Sequence, residues 1–279
     1  MVRRQLDLLT LADGRQVDVD DSGATAPDAP VVLWHRGSPH TGALFEPLLG
    51  LARERGVRFV TVARPAYGRS SPRPGRTVAQ AAADTLEVAD RLGMGRFAAM
   101  ADSGGGPHAL ASAALAPDRV VAVATFASPA PFVHDPVWWD GMVDGSGLVA
   151  ALDGREARLR HAETASWDPE IFVDTDHALL DGAWAGLGAD AGASGPAGVV
   201  GLADDDLAFV SPWGVDLADV RAPVLLVHGR RDRVVPAAHA ELLAQALPRA
   251  TTWWRPDAGH VAVLEAVPAA LDHVLDPLR

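Results

Sequence analysis

The 279-residue sequence contains no cysteine, no lysine and no asparagine. Without cysteine the chain can form no disulfide bond, no thiolate-bound metal site, no iron–sulfur cluster and no cysteine nucleophile. All 24 basic residues are therefore arginine, and 36 acidic residues give a net charge of −12. An acidic chain lacks the positive surface on which nucleic-acid binding depends, so we expect no nucleic-acid partner. We interpret the missing lysine and asparagine as compositional bias without functional meaning.

Long hydrophobic runs are also missing. No stretch of 18 apolar residues occurs, so we expect no membrane-spanning helix and no membrane partner. The first residues, Met1-Val2-Arg3-Arg4, lack the apolar stretch of a secretory signal, and we therefore expect a cytoplasmic protein. No glycine-rich nucleotide motif follows the first strand, and no two histidines stand at metal-binding spacing. We accordingly predict neither a cofactor nor a metal.

Short apolar runs alternate with helical patterns over the first 130 residues. Val31-Val32-Leu33-Trp34 is a continuous apolar run of the kind found in strands buried on both faces. Thr77-Val78-Ala79-Gln80 fits a capping box that opens a helix. The alternation returns at Val224-Leu225-Leu226-Val227. This order of elements predicts an α/β protein with a parallel, doubly wound sheet.

The pattern changes between residues 131 and 213, where helical periods are interrupted by glycine and proline and no strand run stands out. We predict that residues 131–213 form a helical cap inserted after the sixth strand, and that residues 1–130 and 214–279 form the core. Within the cap, Asp204-Asp205-Asp206 is expected at a helix start, where acidic residues are favourable. Residues 186–198, rich in glycine and alanine, are expected to be mobile.

The segment Ala101-Asp102-Ser103-Gly104-Gly105 places a serine between a predicted strand and a predicted helix. A nucleophile at such a turn adopts an unusual backbone conformation, so the residues two before and two after it must be small. Ala101 and Gly105 satisfy that requirement. The turn also puts the hydroxyl at a helix N-terminus, where N–H groups favour developing negative charge. The pattern indicates that Ser103 is a nucleophile.

This segment resembles the nucleophile elbow of α/β-hydrolases, G-x-S-x-G, with Ala101 in place of the first glycine. Two further family motifs follow in the required order, and the resemblance extends from Asp18 over nearly the whole chain. His228-Gly229-Arg230-Arg231-Asp232 resembles the segment after the seventh strand, and Gly259-His260 the one after the last strand. The resemblance implies a mostly parallel eight-stranded sheet with helices on both faces and an inserted helical cap. It also implies that His260 takes the proton of Ser103 while Asp232 orients the imidazole.

The same resemblance implies an oxyanion hole formed by two backbone N–H groups, those of Gly104 and Ser38. Ser38 lies in His35-Arg36-Gly37-Ser38-Pro39, which is similar to the family's H-G-x-P loop except that Arg36 replaces the histidine that precedes the glycine. Arg36 either pairs with an acid as a structural substitute or brings a permanent charge near the site. In Arg64-Pro65-Ala66-Tyr67-Gly68, similar to the family's R-P-G-Y-G, alanine replaces the first glycine.

Several other residues are candidates for the substrate pocket, namely Arg36, His40, Asp102, Trp138 and Trp139. In dehalogenases and epoxide hydrolases of the family an aspartate stands at the elbow apex, and Asp102 could take that position if the frame shifted by one. Met100 would then occupy a crowded position that requires a small residue, which favours Ser103. His108, on the elbow helix, is a further candidate for a place near the pocket.

The sequence thus predicts a serine hydrolase that cleaves a small or medium carboxylic ester through an acyl-Ser103 intermediate. Three same-fold reactions stay open as alternatives, namely those of a lyase, a cofactor-free oxygenase or haloperoxidase, and a C–C hydrolase. A non-catalytic ligand-binding homologue also stays open, because Arg36 and Ala101 depart from the family pattern. The expected partner is a small-molecule substrate, and the sequence leaves open whether the protein forms a homo-oligomer.

Overall fold

Eight strands form one sheet in the order β1-β2-β4-β3-β5-β6-β7-β8 in the computed structural model, which describes residues 5–24, 26–166 and 168–278. Residues 1–4 lie outside that range. They belong to the predicted core, and the expectation that the chain has no secretory signal depends on them. The strands are β1 (Gln5–Thr10), β2 (Gln16–Asp21), β3 (Val31–His35), β4 (Arg58–Val62), β5 (Phe97–Asp102), β6 (Val120–Phe126), β7 (Val224–Gly229) and β8 (Ala250–Arg255). β2 pairs antiparallel with β1 and β4, and the other neighbours pair in parallel. The predicted mostly parallel, eight-stranded sheet is confirmed.

Ten α-helices occur in the described part of the chain. They are α1 (Glu46–Arg55), α2 (Val78–Arg91), α3 (Gly106–Leu115), α4 (Ser146–Leu152), α5 (Arg155–Thr164), α6 (Asp174–Leu180), α7 (Ala185–Ala193), α8 (Gly195–Phe209), α9 (Ala238–Ala246) and α10 (Val267–Leu275). The predicted capping box is present, because the Thr77 hydroxyl accepts from the Gln80 N–H and the Gln80 side chain accepts from the Thr77 N–H.

The central strands of the sheet, β3 to β7, are buried on both faces. Alternate residues of β5 enter two separate hydrophobic clusters, with Ala99 and Ala101 on one side and Ala98 and Met100 on the other. Residues of α2 and α3 belong to the first cluster, and residues of α1 and α10 to the second. All six residues of β5 are buried, so the residue that follows this strand has a rigid support.

Five helices, α4 to α8, lie between β6 and β7, and the described residues of this stretch contain no strand. The extent of the cap, residues 131–213, stays a prediction. The glycine- and alanine-rich segment forms most of α7 and the beginning of α8, and its mobility stays a prediction. The expected position of the aspartate run is wrong. Asp204, Asp205 and Asp206 lie near the C-terminal end of α8, because this helix begins at Gly195 and not at Asp204.

No helix in the described ranges is both long enough and apolar enough to cross a membrane.

Candidate active site

Ser103 follows the last residue of β5 and opens a short 3-10 turn that continues into α3. Its φ angle is +47°, in the left-handed region that residues with a side chain rarely adopt. A Cβ atom added at Gly105 would lie 2.0 Å from the carbonyl oxygen of His35, and Ala101 is fully buried. No side chain therefore fits at position 105 without a shift of the backbone, and a small residue stands at position 101, as the motif predicts.

The structure brings Ser103, His260 and Asp232 together in one hydrogen-bonded chain. His260 Nε2 lies 2.9 Å from Ser103 Oγ, and His260 Nδ1 lies 2.9 Å and 3.1 Å from the two Asp232 oxygens. Asp232 Oδ1 also accepts from the backbone N–H groups of Val234 and Val235, both at 2.9 Å. These bonds hold the carboxylate in a fixed orientation toward the imidazole.

The surroundings of His260 set both its tautomer and its pKa. Because a carboxylate can only accept, Nδ1 carries the proton toward Asp232, and Nε2 of the neutral ring is free to accept from the Ser103 hydroxyl. Burial lowers the pKa of His260, but the charge and hydrogen bond of Asp232, with smaller contributions from Asp176 and Asp102, outweigh it. The net pKa is raised, which indicates an imidazolium stabilised by its neighbours.

The two residues expected to supply the oxyanion hole lie close together beside Ser103. A Cβ atom added at Gly104 would lie 2.7 Å from Ser38 Oγ. The Ser38 hydroxyl donates to Asp205 Oδ2 at 2.5 Å and accepts from Arg64 Nη2 at 2.8 Å. The side chain of Ser38 is thus occupied by structural contacts, which fix the loop that carries its backbone N–H.

Arg36 pairs with acids and does not border the cavities beside Ser103. Its side chain is 2 % exposed, its Nη1 donates to the Ala43 carbonyl at 2.6 Å and its Nε lies 3.5 Å from Asp102 Oδ1. The guanidinium also stacks on the Phe45 ring, 4.2 Å from its centroid. Of the two interpretations of Arg36, the structural one describes this arrangement.

Asp102 borders the cavity at Ser103, but its carboxylate is held by other groups. Its Oδ1 accepts from Trp34 Nε1 at 2.7 Å and its Oδ2 from the Gly37 N–H at 3.0 Å. The hydrogen bond of His260 Nε2 goes to Ser103 Oγ and not to Asp102. The geometry therefore matches the frame with serine at the apex.

Two cavities meet at Ser103. The first, of about 350 Å³, has a mainly apolar wall and is bordered by His260, His40 and Asp102. Its apolar side chains include Phe126, Phe172, Leu180, Leu187 and Leu264. The second, of about 410 Å³, is bordered by Ser38, Ser103 and Gly104 and extends to Trp138, Arg158 and His239.

Three of the other candidates lie in different places. Trp138 is fully buried and borders the second cavity. Trp139 packs edge-on against Trp138 at 4.6 Å and borders an outer groove with Phe132, away from Ser103. His108 is buried with its Nε2 3.6 Å from Asp205, and it borders neither cavity at Ser103. Within the described residues, no three metal-ligating side chains cluster together.

Sequence reasoning missed a buried carboxylate that holds the His260 loop. Asp176, on α6, is fully buried and accepts from the backbone N–H groups of His260, Val261 and Ala262 at 3.1, 2.8 and 2.8 Å. It also accepts from the Val173 N–H at 3.1 Å. No motif in the sequence links Asp176 to the His260 loop, because its three partners in that loop lie more than 80 positions away along the chain.

Two more carboxylates from the same group of helices hold the loop that carries Ser38. Asp190, on α7, accepts from His40 Nδ1 at 3.0 Å and from the Thr41 N–H at 3.1 Å. Asp205, on α8, is fully buried and accepts from Arg64 Nη2 and Arg76 Nη2, both at 2.6 Å. The sequence shows Asp204-Asp205-Asp206 as a run of acidic residues, but only the fold shows that Asp205 forms ion pairs with Arg64 and Arg76.

Comparison with known proteins identifies the family to which the chain belongs. The family model described as alpha/beta hydrolase fold matches residues 30–267. A pimeloyl-[acyl-carrier protein] methyl ester esterase of Nitrosomonas europaea is 29 % identical over 244 residues, which cover 84 % of this chain and 89 % of that protein. The dihydrolipoyllysine-residue acetyltransferase component of an acetoin cleaving system of Cupriavidus necator is 32 % identical over 209 residues, which cover 72 % of this chain and 51 % of that protein.

Solved structures share the fold at lower identity. A hydrolase from Pseudomonas aeruginosa superposes with a TM-score of 0.70 at 24 % identity, covering 98 % of both chains. The enol-lactonase from Burkholderia xenovorans superposes with a TM-score of 0.71 at 20 % identity, covering 98 % of this chain and 99 % of that one. With the family model matching most of its length, the chain belongs to the α/β-hydrolase fold family and is a hydrolase.

Proposed function

We propose that this hydrolase cleaves a small or medium carboxylic ester through an acyl intermediate on Ser103. The observation that carries the proposal is the hydrogen-bonded chain from Ser103 Oγ through His260 to Asp232, at the meeting point of two cavities. A serine, a base in contact with it and an acid that orients the base are the parts that nucleophilic acyl transfer requires.

In the first half of the reaction, His260 Nε2 takes the proton from Ser103 Oγ as Oγ bonds to the ester carbonyl carbon. The charge that develops on the carbonyl oxygen is stabilised by the backbone N–H groups of Gly104 and Ser38. His260 then gives the proton to the leaving alkoxide, and the C–O bond of the ester breaks. Asp232 stabilises the imidazolium throughout this half-reaction.

In the second half, a water molecule takes the place of the alcohol. His260 removes a proton from that water, whose oxygen attacks the acyl carbon, and the proton passes to Ser103 Oγ as the acyl group departs as a carboxylic acid. The names of two similar proteins, a methyl ester esterase and an enol-lactonase, support an ester or lactone as the substrate class. Cavities of about 350 and 410 Å³ suit small or medium substrates.

Steady-state hydrolysis of p-nitrophenyl esters from acetate to octanoate tests the proposal. We expect turnover by the wild type and a loss of at least about 10³-fold in kcat for Ser103→Ala, since the covalent intermediate can no longer form. Undiminished turnover in Ser103→Ala would exclude an acyl-serine intermediate. Absence of turnover by folded wild-type protein across the whole series would favour the alternatives named above, a same-fold lyase, oxygenase or C–C hydrolase, or a ligand-binding homologue.

A further inference from the structure

The second cavity contains buried hydrogen-bond donors that the proposed chemistry does not use. Arg158, on α5, is 5 % exposed, and its Nε donates to Asp206 Oδ2 at 2.6 Å. Its Nη1 is buried and has no hydrogen-bond partner among the described residues. A buried N–H group without a partner is costly, and in a ligand cavity it marks a position at which the ligand can supply the acceptor.

A second donor comes from a different element. His239, on α9, is fully buried and its Nδ1 accepts from the Ala130 N–H at 3.1 Å. The neutral ring therefore carries its proton on Nε2, which is also buried and without a hydrogen-bond partner in the described chain. Burial lowers the pKa of His239 to about 4, which keeps this ring neutral near pH 7. Arg158 and His239 border the same cavity.

The two cavities differ in their relation to the reacting atoms. The leaving oxygen of an ester must receive its proton from His260, and His260 borders the first cavity, with its apolar wall. Gly104, which would help hold the oxyanion, borders the second cavity. This placement puts the leaving alcohol in the first cavity and the acyl chain in the second.

We infer that the second cavity recognises an acyl chain that carries a neutral oxygen, a ketone or a hydroxyl, through the free N–H groups of Arg158 and His239. This inference rests on the proposed ester hydrolysis. A neutral oxygen fits better than a carboxylate because Asp206 also borders this cavity and already pairs with Arg158. A second negative charge would be repelled by that carboxylate.

A matched pair of substrates tests the inference. p-Nitrophenyl 4-oxopentanoate and p-nitrophenyl pentanoate have the same chain length and leaving group, and differ in one ketone oxygen. After each kcat/KM is divided by the ester's rate of spontaneous alkaline hydrolysis, we expect the wild type to prefer the keto ester by about tenfold or more, as for a hydrogen bond to a charged donor. Similar normalised values for the two esters would overturn the inference while leaving ester hydrolysis intact.

A double variant, Arg158→Met with Asp206→Leu, removes the Arg158 donor without leaving an unpaired buried carboxylate. We expect its preference for the keto ester to fall to the smaller value that His239 alone supports, whereas Arg160→Met, an exposed arginine on the same helix, should keep the wild-type ratio. An unchanged ratio in the folded double variant would also overturn the inference. If that variant does not fold, the wild-type ratio decides. Failure of both esters to react would instead contradict the proposed function itself.

Discussion

At the scale of single residues, backbone strain occurs both at the proposed nucleophile and at a position where it has no evident use. The non-glycine residues with positive φ in the described chain include Ser103 at +47° and Ala66 at +70°. For a residue with a Cβ atom this region costs about 1–2 kcal/mol. At Ser103 the strain accompanies a hydroxyl that lies in contact with His260. At Ala66, where the family pattern has glycine, the structure shows no comparable gain.

Ala66→Gly is therefore expected to stabilise the protein. The free energy of unfolding should rise by about 1 kcal/mol, because glycine adopts a φ of this sign without steric cost. Urea unfolding followed by circular dichroism measures the change. Ala244→Gly, in the exposed middle of α9, is the control and should lower the free energy of unfolding by up to about 1 kcal/mol. A loss of stability in Ala66→Gly would contradict the strain argument.

The raised pKa of His260 predicts how activity depends on pH. The ring acts as a base only when neutral, so kcat/KM should rise with pH along a limb whose midpoint lies above the ordinary histidine value of 6.5. Asp232→Asn removes the strongest influence that raises this pKa. The midpoint should then move to lower pH, and activity should fall by about 10⁴-fold. A wild-type midpoint below 6.5, or no shift in the variant, would contradict this account of His260.

At the scale of elements, the helices between β6 and β7 take part in holding the site. Asp176 of α6 binds the backbone of the His260 loop, and Asp190 of α7 binds the loop that carries Ser38. Asp205 of α8 binds the hydroxyl of Ser38 and the guanidinium of Arg64. α6, α7 and α8 thus each contribute a carboxylate to a loop of the candidate site, so the packing of these three helices and the geometry of Ser103, His260 and Asp232 are linked.

Asp176→Asn is the substitution that tests this link. An amide has one accepting oxygen and would turn an NH₂ group toward backbone N–H donors, so we expect a loss of about 2–4 kcal/mol in the free energy of unfolding. Removal of its charge should also lower the pKa of His260, which Asp176 helps to raise. The acid limb of kcat/KM should then move to lower pH, an effect that loss of stability alone would not produce.

Asp174→Asn supplies the matched control on the same helix. Asp174 is exposed in the first turn of α6, so its replacement should cost at most about 1 kcal/mol and leave the pH profile unchanged. If Asp174→Asn and Asp176→Asn behave alike in both measurements, then Asp176 does not position His260.

At the scale of the whole molecule, buried ion pairs predict the response to acid. Burial acts to raise the pKa of Asp205, but Arg64 and Arg76 outweigh it and hold the pKa well below 3.8. The pKa of Asp190 is likewise lowered, since hydrogen bonds from His40 and Thr41 outweigh its burial. The stability that such groups contribute is present above the unfolded pKa and is lost as pH falls through the folded pKa. The melting temperature should therefore drop steeply below about pH 4.

Thermal unfolding followed by circular dichroism between pH 5 and pH 2.5 measures this effect. Asp206 acts in the opposite direction in the upper part of that window, because burial raises its pKa to about 6 and proton binding by the folded state then favours folding as pH falls toward the unfolded value of 3.8. Below about pH 4 Asp206 is largely protonated in both states, so the loss due to Asp205 and Asp190 should dominate there. A melting temperature that stays constant across the window would contradict the role given to the buried carboxylates.

The parts of this molecule that the sequence could predict are those with a local or repeated signal. The alternation of apolar runs and helical patterns predicted the parallel sheet, and the family resemblance implied its eight strands. Motifs that resemble those of the family pointed to Ser103, Asp232 and His260, which the structure brings together. The carboxylates of α6, α7 and α8 could not be predicted, because their partners depend on how distant segments pack. Asp205 was misplaced at a helix start for a different reason, since glycine and alanine upstream conceal the beginning of α8.

The most direct test of the central claim is covalent labelling of the whole protein with a fluorophosphonate, with the modified residue located by mass spectrometry. An activated serine should give one adduct per chain on Ser103, and His260→Ala should react far more slowly because the base in contact with Ser103 Oγ is gone. No labelling of folded wild-type protein, an adduct on another residue, or equal labelling rates for wild type and His260→Ala would contradict the assignment of Ser103 as the nucleophile.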